Sequence, residues 1–343
     1  MTLFDLKPKK NRNELFDREK ELEELKKAVD KRYPIIAILG IRRIGKTSVL
    51  KTFLNEIGGV YLDLRGIYKT IELQERITDS INSSIVILRR ILEGIRGISF
   101  AGISVEIKWK GSDSISLVGL LNEINRRTNS FILALDEVQA TKPPVSAQLK
   151  NLLAYGYDNL ENITFIVAGS EIGLLRDFLG IERPDSPLYG RYIYEIHVER
   201  LSREESREFL MRGFKEEGLN PPINIIEEAL DYFDGIIGWL AFFGRKYADG
   251  IRDLKDLKEI AINLALDELK KLSIREKLVL KAIASGSSSW SAVRKFIGEK
   301  EGITLPKATL SRLIEKIEKL SIVKDYRFLD PIYKEASSRL LIK

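Results

Sequence analysis

The stretch GIRRIGKT, Gly40–Thr47, restricts the fold of this chain more than any other feature. It follows the apolar run YPIIAIL and precedes a segment with helical apolar spacing. In such a turn between strand and helix, backbone N–H groups converge on phosphate oxygens at the positive end of the helix. Gly40 and Gly45 permit the required backbone conformations. Lys46 supplies a cation for the β- and γ-phosphates, and the Thr47 hydroxyl can bind Mg²⁺. The motif therefore predicts a phosphate-binding loop in an α/β fold.

Five short β-rich runs alternate with helix-length segments, which predicts a parallel five-stranded sheet built from βαβ units. Several runs are continuously apolar, as is typical of strands covered on both faces. They are Ile35–Leu39, Val60–Leu64, Phe131–Leu135, Ile163–Ala168 and Tyr192–Val198. Between the second and third, ISFAGISVEIKWKG breaks the helical spacing and predicts a small hairpin. The chain's single histidine, His197, falls in the fifth run, where we expect it to pack as a structural residue.

Polar side chains follow two of these strands. Asp136 ends FILALD at the edge where α/β sheets bind ligands, so we predict that it holds Mg²⁺ together with Thr47. Glu137 follows directly and is predicted to orient and activate water for attack on a γ-phosphate. Two solvated acids after a strand are the alternative. Ser170, after ITFIVAG, is a candidate γ-phosphate sensor or water-positioning residue, or else a helix N-cap.

Near Leu201 the sequence pattern changes from alternating β-rich and helical segments to helical segments alone. Ser202 and Glu205 form a capping-box pattern, and helical segments continue to about Leu269. Beyond them, three helical segments and a short hairpin pattern are the order of a winged helix-turn-helix. We therefore predict three domains, at 1–200, 201–270 and 271–343, of which the first carries the phosphate loop.

Basic charge is concentrated at the C-terminal end. The net charge is +6, but residues 275–343 hold 15 Lys/Arg and 8 Asp/Glu, so the rest of the chain is close to neutral. In the third helix of the winged unit, Arg312, Lys316 and Lys319 lie opposite the apolar side. Such a face can lie along duplex DNA. A solvated helix in a protein-binding module is the alternative, so residues 271–343 are predicted to bind either duplex DNA or a protein.

Composition excludes several other classes. There is no cysteine, which excludes disulfides, thiolate nucleophiles and cysteine-bound metals. One histidine cannot form a three-histidine zinc site. No apolar run approaches the ~20 residues that span a bilayer, and the N-terminus has no signal-peptide core. We expect a cytoplasmic protein without membrane association.

The segments LFDREKELEEL, GIRRIGKT, FILALDEVQ, IVAGS and PLYGRY occur in an order that resembles the archaeal ATPase family. That family belongs to the STAND class of P-loop NTPases, relatives of AAA+ and Orc/Cdc6 proteins. The resemblance covers essentially the whole chain. It implies the strand order 5-1-4-3-2, a helical lid, a C-terminal winged helix and ATP or ADP with Mg²⁺ as ligands. Independently of the resemblance, the chain has no guanine signature, since TKPP lacks the required acid.

The resemblance also implies residue roles. Phe16 and Arg18 would border adenine. Arg191, in PLYGRY, stands where AAA+ relatives place an arginine finger, often acting in a neighbouring subunit; a surface arginine is the alternative. In the lid motif DGIIGWL, Ile237 replaces an expected proline, so the sequence does not predict direct contact between lid and base. The predicted nucleotide-binding set is Phe16, Arg18, Gly40, Arg42, Arg43, Ile44, Gly45, Lys46, Thr47 and Ser48, with Glu137, Lys46, Ser170 and Arg191 as the catalytic set.

Three functions remain open at this point. The first is a slowly hydrolysing Mg-ATP switch in which ATP and ADP hold the lid and winged helix differently, with nucleotide-dependent self-association as a corollary. The second is a DNA-binding initiator or regulator gated by ATP. The third is a small-molecule kinase, against which the basic C-terminal module and Glu137 argue.

Overall fold

The computed structural model describes residues 2–83, 91–101 and 104–341. The strands before the helical region are β1 (Ile35–Leu39), β2 (Val60–Asp63), β3 (Ile98–Ala101), β4 (Ser104–Ile107), β5 (Phe131–Asp136), β6 (Ile163–Ala168) and β7 (Tyr194–His197). β3 and β4 pair antiparallel as the predicted hairpin, although its turn lies outside the described residues. The other five strands form one parallel sheet.

The spatial order of the sheet is β2-β5-β6-β1-β7. Numbered along the chain, the five strands therefore follow the order 5-1-4-3-2, and that prediction is confirmed. β1, β5 and β6 are buried along their whole length, which explains their continuous apolar runs. Because β1, β6 and β5 are neighbours, the loops that follow them meet at one edge of the sheet.

Helices cover both faces of the sheet. They are α1 (Glu19–Asp30), α2 (Lys46–Ile57), α3 (Thr70–Ser83), α4 (Leu117–Arg127), α5 (Val145–Asn159) and α6 (Ile172–Leu179). Successive residues of β1 point to opposite faces. Ile36 and Ile38 join the core with Val49 and Phe53 of α2, while Ile35, Ala37 and Leu39 join the core on the other face.

Four lid helices follow, α7 (Arg203–Glu216), α8 (Ile223–Phe233), α9 (Ile237–Ala248) and α10 (Leu254–Leu269). Both reciprocal bonds of the predicted capping box at Ser202 and Glu205 are present. The N-terminal Leu3 and Phe4 are buried with the lid helices rather than with the sheet. The chain therefore begins packed against the lid before it enters the sheet-bearing region.

The C-terminal region contains α11 (Ile274–Ala284), α12 (Trp290–Glu301), α13 (Lys307–Lys319), the hairpin β8 (Val323–Lys324) and β9 (Arg327–Phe328), and α14 (Pro331–Ser338). The three helices and the hairpin match the predicted winged helix. The sequence analysis missed α14, which begins at Pro331 with Asp330 as N-cap. Lid and winged-helix residues share one buried cluster, and the domain boundaries remain predictions.

His197 does not pack as predicted. Its side chain is 49% exposed, and Nε2 lies 3.5 Å from Oε2 of Glu195. The reason is that β7 is an edge strand, so one of its faces is only partly covered. Within the described residues, no helix is both long and apolar enough to cross a membrane.

Candidate functional site

Thr47 and Asp136 meet at the carboxyl edge of the sheet. The Thr47 hydroxyl, on the first turn of α2, donates to Oδ2 of Asp136 over 2.8 Å. Tyr61 of β2 donates its hydroxyl to the same oxygen over 2.9 Å. Burial raises the pKa of Asp136, and the hydrogen bonds from Thr47 and Tyr61 oppose that rise. The two predicted metal ligands are therefore in contact.

These two residues fit Mg²⁺. The pair offers a carboxylate and a hydroxyl oxygen, the hard ligands that Mg²⁺ prefers, and Thr47 lines the cavity described below. No cluster of three or more His, Cys, Asp or Glu side chains suited to a metal occurs among the described residues. Mg²⁺ usually keeps several waters and is held largely by substrate phosphates, so a carboxylate and a hydroxyl are ligands it commonly uses.

Glu137 is held in a defined position beside this pair. Its backbone is left-handed, with φ of 56°, a conformation that is uncommon for non-glycine residues. Oε2 accepts hydrogen bonds from the Ser170 hydroxyl at 3.0 Å and from Nε2 of Gln139 at 2.5 Å. Ser170, at the end of β6, therefore lies against the predicted water-activating carboxylate.

Lys46 is buried at the start of α2. Its Nζ donates to the carbonyl oxygens of Gly40 and Ile41, each at 2.7 Å. Burial lowers the pKa of Lys46 to about 8, while the charges of Glu137 and Asp136 act in the opposite direction. Gly45 precedes it with φ of 101°, a left-handed conformation that glycine adopts without steric cost.

A cavity of about 450 Å³ extends from this loop toward the lid. Of the predicted nucleotide-binding and catalytic residues, it is lined by Phe16, Arg18, Arg42, Arg43, Gly45, Lys46, Thr47, Ser48, Glu137 and Ser170. Gly40, Ile44 and Asp136 do not line it: Lys46 binds the Gly40 carbonyl, the Ile44 side chain is buried, and Asp136 is buried in contact with Thr47. Ten of the fourteen predicted site residues therefore line this cavity, three more are neighbours or hydrogen-bond partners of lining residues, and one, Arg191, lies apart.

Part of the cavity wall is apolar. Phe16 packs edge-on against Phe209 of α7, with ring centroids 5.3 Å apart. Ile237, Gly238, Ala241 and Phe242 of the lid also line the cavity, and the N–H of Gly238 donates to the Arg43 carbonyl at 2.8 Å. The lid therefore contributes to this wall although its motif departs from the family pattern. Arg18 supports the loop, because its Nη2 donates to the Ile44 carbonyl at 3.2 Å and to the Glu199 carbonyl at 3.0 Å.

Arg191 lies apart from the other predicted catalytic residues. It precedes β7, so it lies at the amino ends of the parallel strands, whereas the phosphate loop follows the carboxyl end of β1. Its Nη2 pairs with Oδ2 of Asp158 at 2.6 Å. The guanidinium also faces the ring of Tyr157 at 5.6 Å. This placement does not support a role for Arg191 in its own chain's site, and a role in a neighbouring subunit stays a prediction.

Two of the three basic side chains on the face predicted to bind DNA, on α13, are already in ion pairs. Lys316 forms an ion pair with Glu276, and Nζ of Lys319 lies 3.0 Å from Oδ2 of Asp177 in α6 and 2.6 Å from Oε1 of Glu315. Arg312 is exposed. α13 therefore packs against the sheet-bearing unit through one of the lysines assigned to DNA.

Several residues of the site were missed by sequence reasoning. Tyr61 binds Asp136, Gln139 binds Glu137, and Glu268 of α10 pairs with both Arg42 and Arg43. Strand pairing could have suggested Tyr61, since β2 lies beside β5. Glu268 carried no local signal, because it is far from the loop in sequence.

Two family models match the chain. The ATPase domain found predominantly in Archaea matches residues 15–242, and the MCM protein C-terminal winged helix-turn-helix domain matches residues 270–336. The chain belongs to the archaeal ATPase family. It is therefore a P-loop ATPase by family and fold, and the resemblance seen in the sequence is confirmed.

Solved structures agree with this family assignment. The Walker-type ATPase PABY2304 of Pyrococcus abyssi is 35% identical, with a TM-score of 0.83, and the match covers 98% of this chain and 99% of that one. The Aeropyrum pernix ORC2 protein, solved in ADPNP and ADP complexes, has a TM-score of 0.60 at 15% identity and covers 98% and 96% of the two chains; it shows a shared fold. Among curated proteins, none matches the chain.

Proposed function

We propose that this archaeal ATPase family member binds Mg-ATP in the 450 Å³ cavity and hydrolyses it slowly to ADP and phosphate. The observation that carries the proposal is that three groups meet at the phosphate loop: Lys46, the Thr47–Asp136 pair, and the Glu137–Ser170 pair. Phosphates would contact the loop and Lys46, and the base would lie against the apolar wall that includes Phe16 and the lid residues.

We assign the proton transfer to Glu137. Mg²⁺, held by Thr47 and Asp136, would neutralise charge on the phosphates. Both side-chain donors that reach Glu137 within the described structure contact Oε2, which leaves Oε1 for a water molecule. That water's oxygen attacks the γ-phosphorus, its proton passes to Glu137, and the bond to the β-phosphate oxygen breaks. Ser170 and Gln139 orient the carboxylate.

Glu137→Gln tests this assignment. The amide keeps the size of the side chain but cannot accept the proton, so phosphate release should fall by roughly 10²–10⁴-fold while Mg-ATP still binds. Phosphate release and calorimetric binding are measured on both forms. Glu161→Gln, at an exposed turn outside the cavity, is the matched control and should turn over like the parent. Unchanged turnover in Glu137→Gln would remove the base from this site, and phosphate transfer to a metabolite would favour the kinase alternative.

We further propose that hydrolysis operates a switch between two arrangements of the lid and winged helix. A nucleotide shifts such an equilibrium only through contacts that differ between the two states. The cavity has suitable contacts, because its walls include the loop, Ser170 and the lid residues Ile237 and Gly238. The lid in turn shares its core with the winged helix.

Duplex DNA is the second candidate partner. Exposed basic side chains on the winged helix favour it: Arg312 lies on α13, and Lys324 and Arg327 lie on the β8–β9 hairpin. Phosphate contacts release counterions, so DNA affinity should fall steeply with salt, and Arg312→Ala should reduce the slope of log affinity against log salt by about 1. ATP turnover and DNA binding are measured across one salt series. Salt-independent binding, or none, would favour a protein partner instead.

A further inference from the structure

The two arginines of the phosphate loop connect it to the rest of the molecule. Arg42 donates through Nη2 to Oε1 of Glu171 at 2.7 Å and through Nη1 to Oε2 of Glu268 at 2.6 Å. Arg43 donates to the other oxygen of Glu268 at 3.0 Å. Glu171 directly follows Ser170, and Glu268 is in the last turn of α10. The loop is thus tied to the segment after β6 and to the lid.

Glu268 extends this connection to the winged helix. The hydroxyl of Tyr333, on α14, donates to the same Oε2 that accepts from Arg42. Burial alone would raise the pKa of Glu268, but the hydrogen bond from Tyr333 and the charges of the two arginines outweigh it and lower that pKa. One carboxylate therefore joins the phosphate loop, the lid and α14.

Arg43 makes a second link to the same helix. Its guanidinium lies 4.0 Å from the ring centroid of Trp239 in the lid. Nε1 of Trp239 donates to Oδ2 of Asp330 at 2.8 Å, and Oδ1 of Asp330 accepts from the N–H of Ile332 in the first turn of α14. Arg42 thus reaches α14 through Glu268, and Arg43 reaches it through Trp239 and the N-cap residue Asp330.

Arg42 has room to change partners. It lines the nucleotide cavity and also a second cavity of about 230 Å³ between the loop, the end of α10 and the winged helix. Leu320, Ser321 and Tyr333 line that second cavity. Arg42 therefore borders both spaces, and its side chain is 43% exposed rather than packed in a core.

We propose that Arg42 is the positioning residue that couples the γ-phosphate to the placement of the winged helix. A γ-phosphate in the nucleotide cavity would carry up to two negative charges and would compete with Glu171 and Glu268 for the guanidinium of Arg42. When Arg42 turns to the phosphate, Glu268 loses one of the two guanidinium groups that hold it in place, so its carboxylate no longer keeps Tyr333 in the docked position. With ADP, Arg42 keeps both carboxylates and α14 stays docked. This inference rests on the proposed nucleotide switch and names the side chain that operates it.

The absence of cysteine allows a direct test in the full chain. Glu161→Cys and Lys334→Cys place one spin label on the sheet-bearing unit and one on α14, both at exposed positions. Distance distributions are recorded by pulsed electron spin resonance with Mg-ADP and with a Mg-bound non-hydrolysable ATP analogue, each at saturation verified by calorimetry. The labelled parent should give two different distributions. Arg42→Ala should remove the difference.

Two further variants complete the experiment. Tyr333→Phe keeps the ring but removes the donor to Glu268, so its ADP distribution should shift toward that of the triphosphate state. Arg203→Ala is the matched control, because Arg203 also bridges two carboxylates, Glu227 and Asp231, but within the lid. It should respond to the two nucleotides like the parent.

A nucleotide-dependent shift that persists in Arg42→Ala overturns the inference alone. A parent that binds both nucleotides without any shift overturns the switch together with it.

Discussion

At the scale of single residues, the motif residues were predictable and their supporting partners were not. Lys46, Thr47 and Asp136 belong to patterns whose chemistry fixes residue type and spacing, and the ends of neighbouring parallel strands then bring them together. Tyr61 and Glu268 act through tertiary contacts between distant segments. Such contacts depend on which strands and helices become neighbours, and no local pattern encodes that.

Lys46 gives the clearest prediction at this scale. Its buried ammonium is the group predicted to hold the β- and γ-phosphates, so Lys46→Ala should abolish tight Mg-ATP binding without unfolding the protein. Calorimetric titration measures the first effect and circular dichroism the second. Retained affinity in a folded Lys46→Ala variant would contradict the assignment of the phosphate cradle.

The lowered pKa of Lys46 adds a pH dependence. With a pKa of about 8 in the free protein, Lys46 is charged below pH 8 and loses its proton as the pH rises through that value. Bound phosphate favours the charged form, so above pH 8 binding must take up a proton, and affinity should fall by up to about tenfold per pH unit. Titrations between about pH 7 and 9.5 check this. An affinity that stays constant over this range would contradict a lowered pKa of Lys46.

At the scale of secondary-structure elements, buried strands and capped helices were predicted best. β1, β6 and α2 lie where their apolar patterns placed them, because continuous apolar runs and clear end signals restrict the possible boundaries. α14 was missed because eight residues after a hairpin carry too little periodicity to distinguish a helix from a loop. Yet α14 carries Tyr333, which contacts Glu268 of the lid.

The N-terminal segment belongs with the lid helices, and Phe4 shows why. Its ring fits between Gly213 and Gly244, where a Cβ at either glycine would lie 2.3 Å from a ring atom. Phe4 also packs edge-on against Phe214, with centroids 4.8 Å apart. Farther along the segment, the N–H of Lys9 donates to the Ser48 hydroxyl at 3.1 Å, so the segment joins lid and phosphate loop.

Phe4→Ala should therefore destabilise the lid, because it leaves a cavity where a fully buried aromatic ring was packed. The expected loss in free energy of unfolding is about 3–5 kcal/mol, measured by chemical denaturation. Met211→Ala, on α7 with 53% of the side chain exposed, is the control and should cost no more than about 0.5 kcal/mol. Equal effects of the two substitutions would show that the N-terminal segment does not stabilise the lid.

At the scale of the whole molecule, the phosphate loop is the point where three regions meet. The sheet supplies Asp136 and Ser170, the lid supplies Glu268 and Trp239, and the winged helix reaches the same network through Asp330 and Tyr333. The sequence predicted the three regions but not this meeting point. Their contact is decided by long-range ion pairs and packing, which give no periodic signal along the chain.

The most direct measurement is a crystal structure with Mg²⁺ and a non-hydrolysable ATP analogue. We expect the triphosphate in the loop at Gly40–Thr47, Lys46 on the β- and γ-phosphates, and the metal ion between Thr47 and the Asp136 carboxylate. Glu137 should face a water molecule beside the γ-phosphate. A nucleotide bound elsewhere with this loop empty, or Asp136 turned away from the metal ion, would contradict the proposed site.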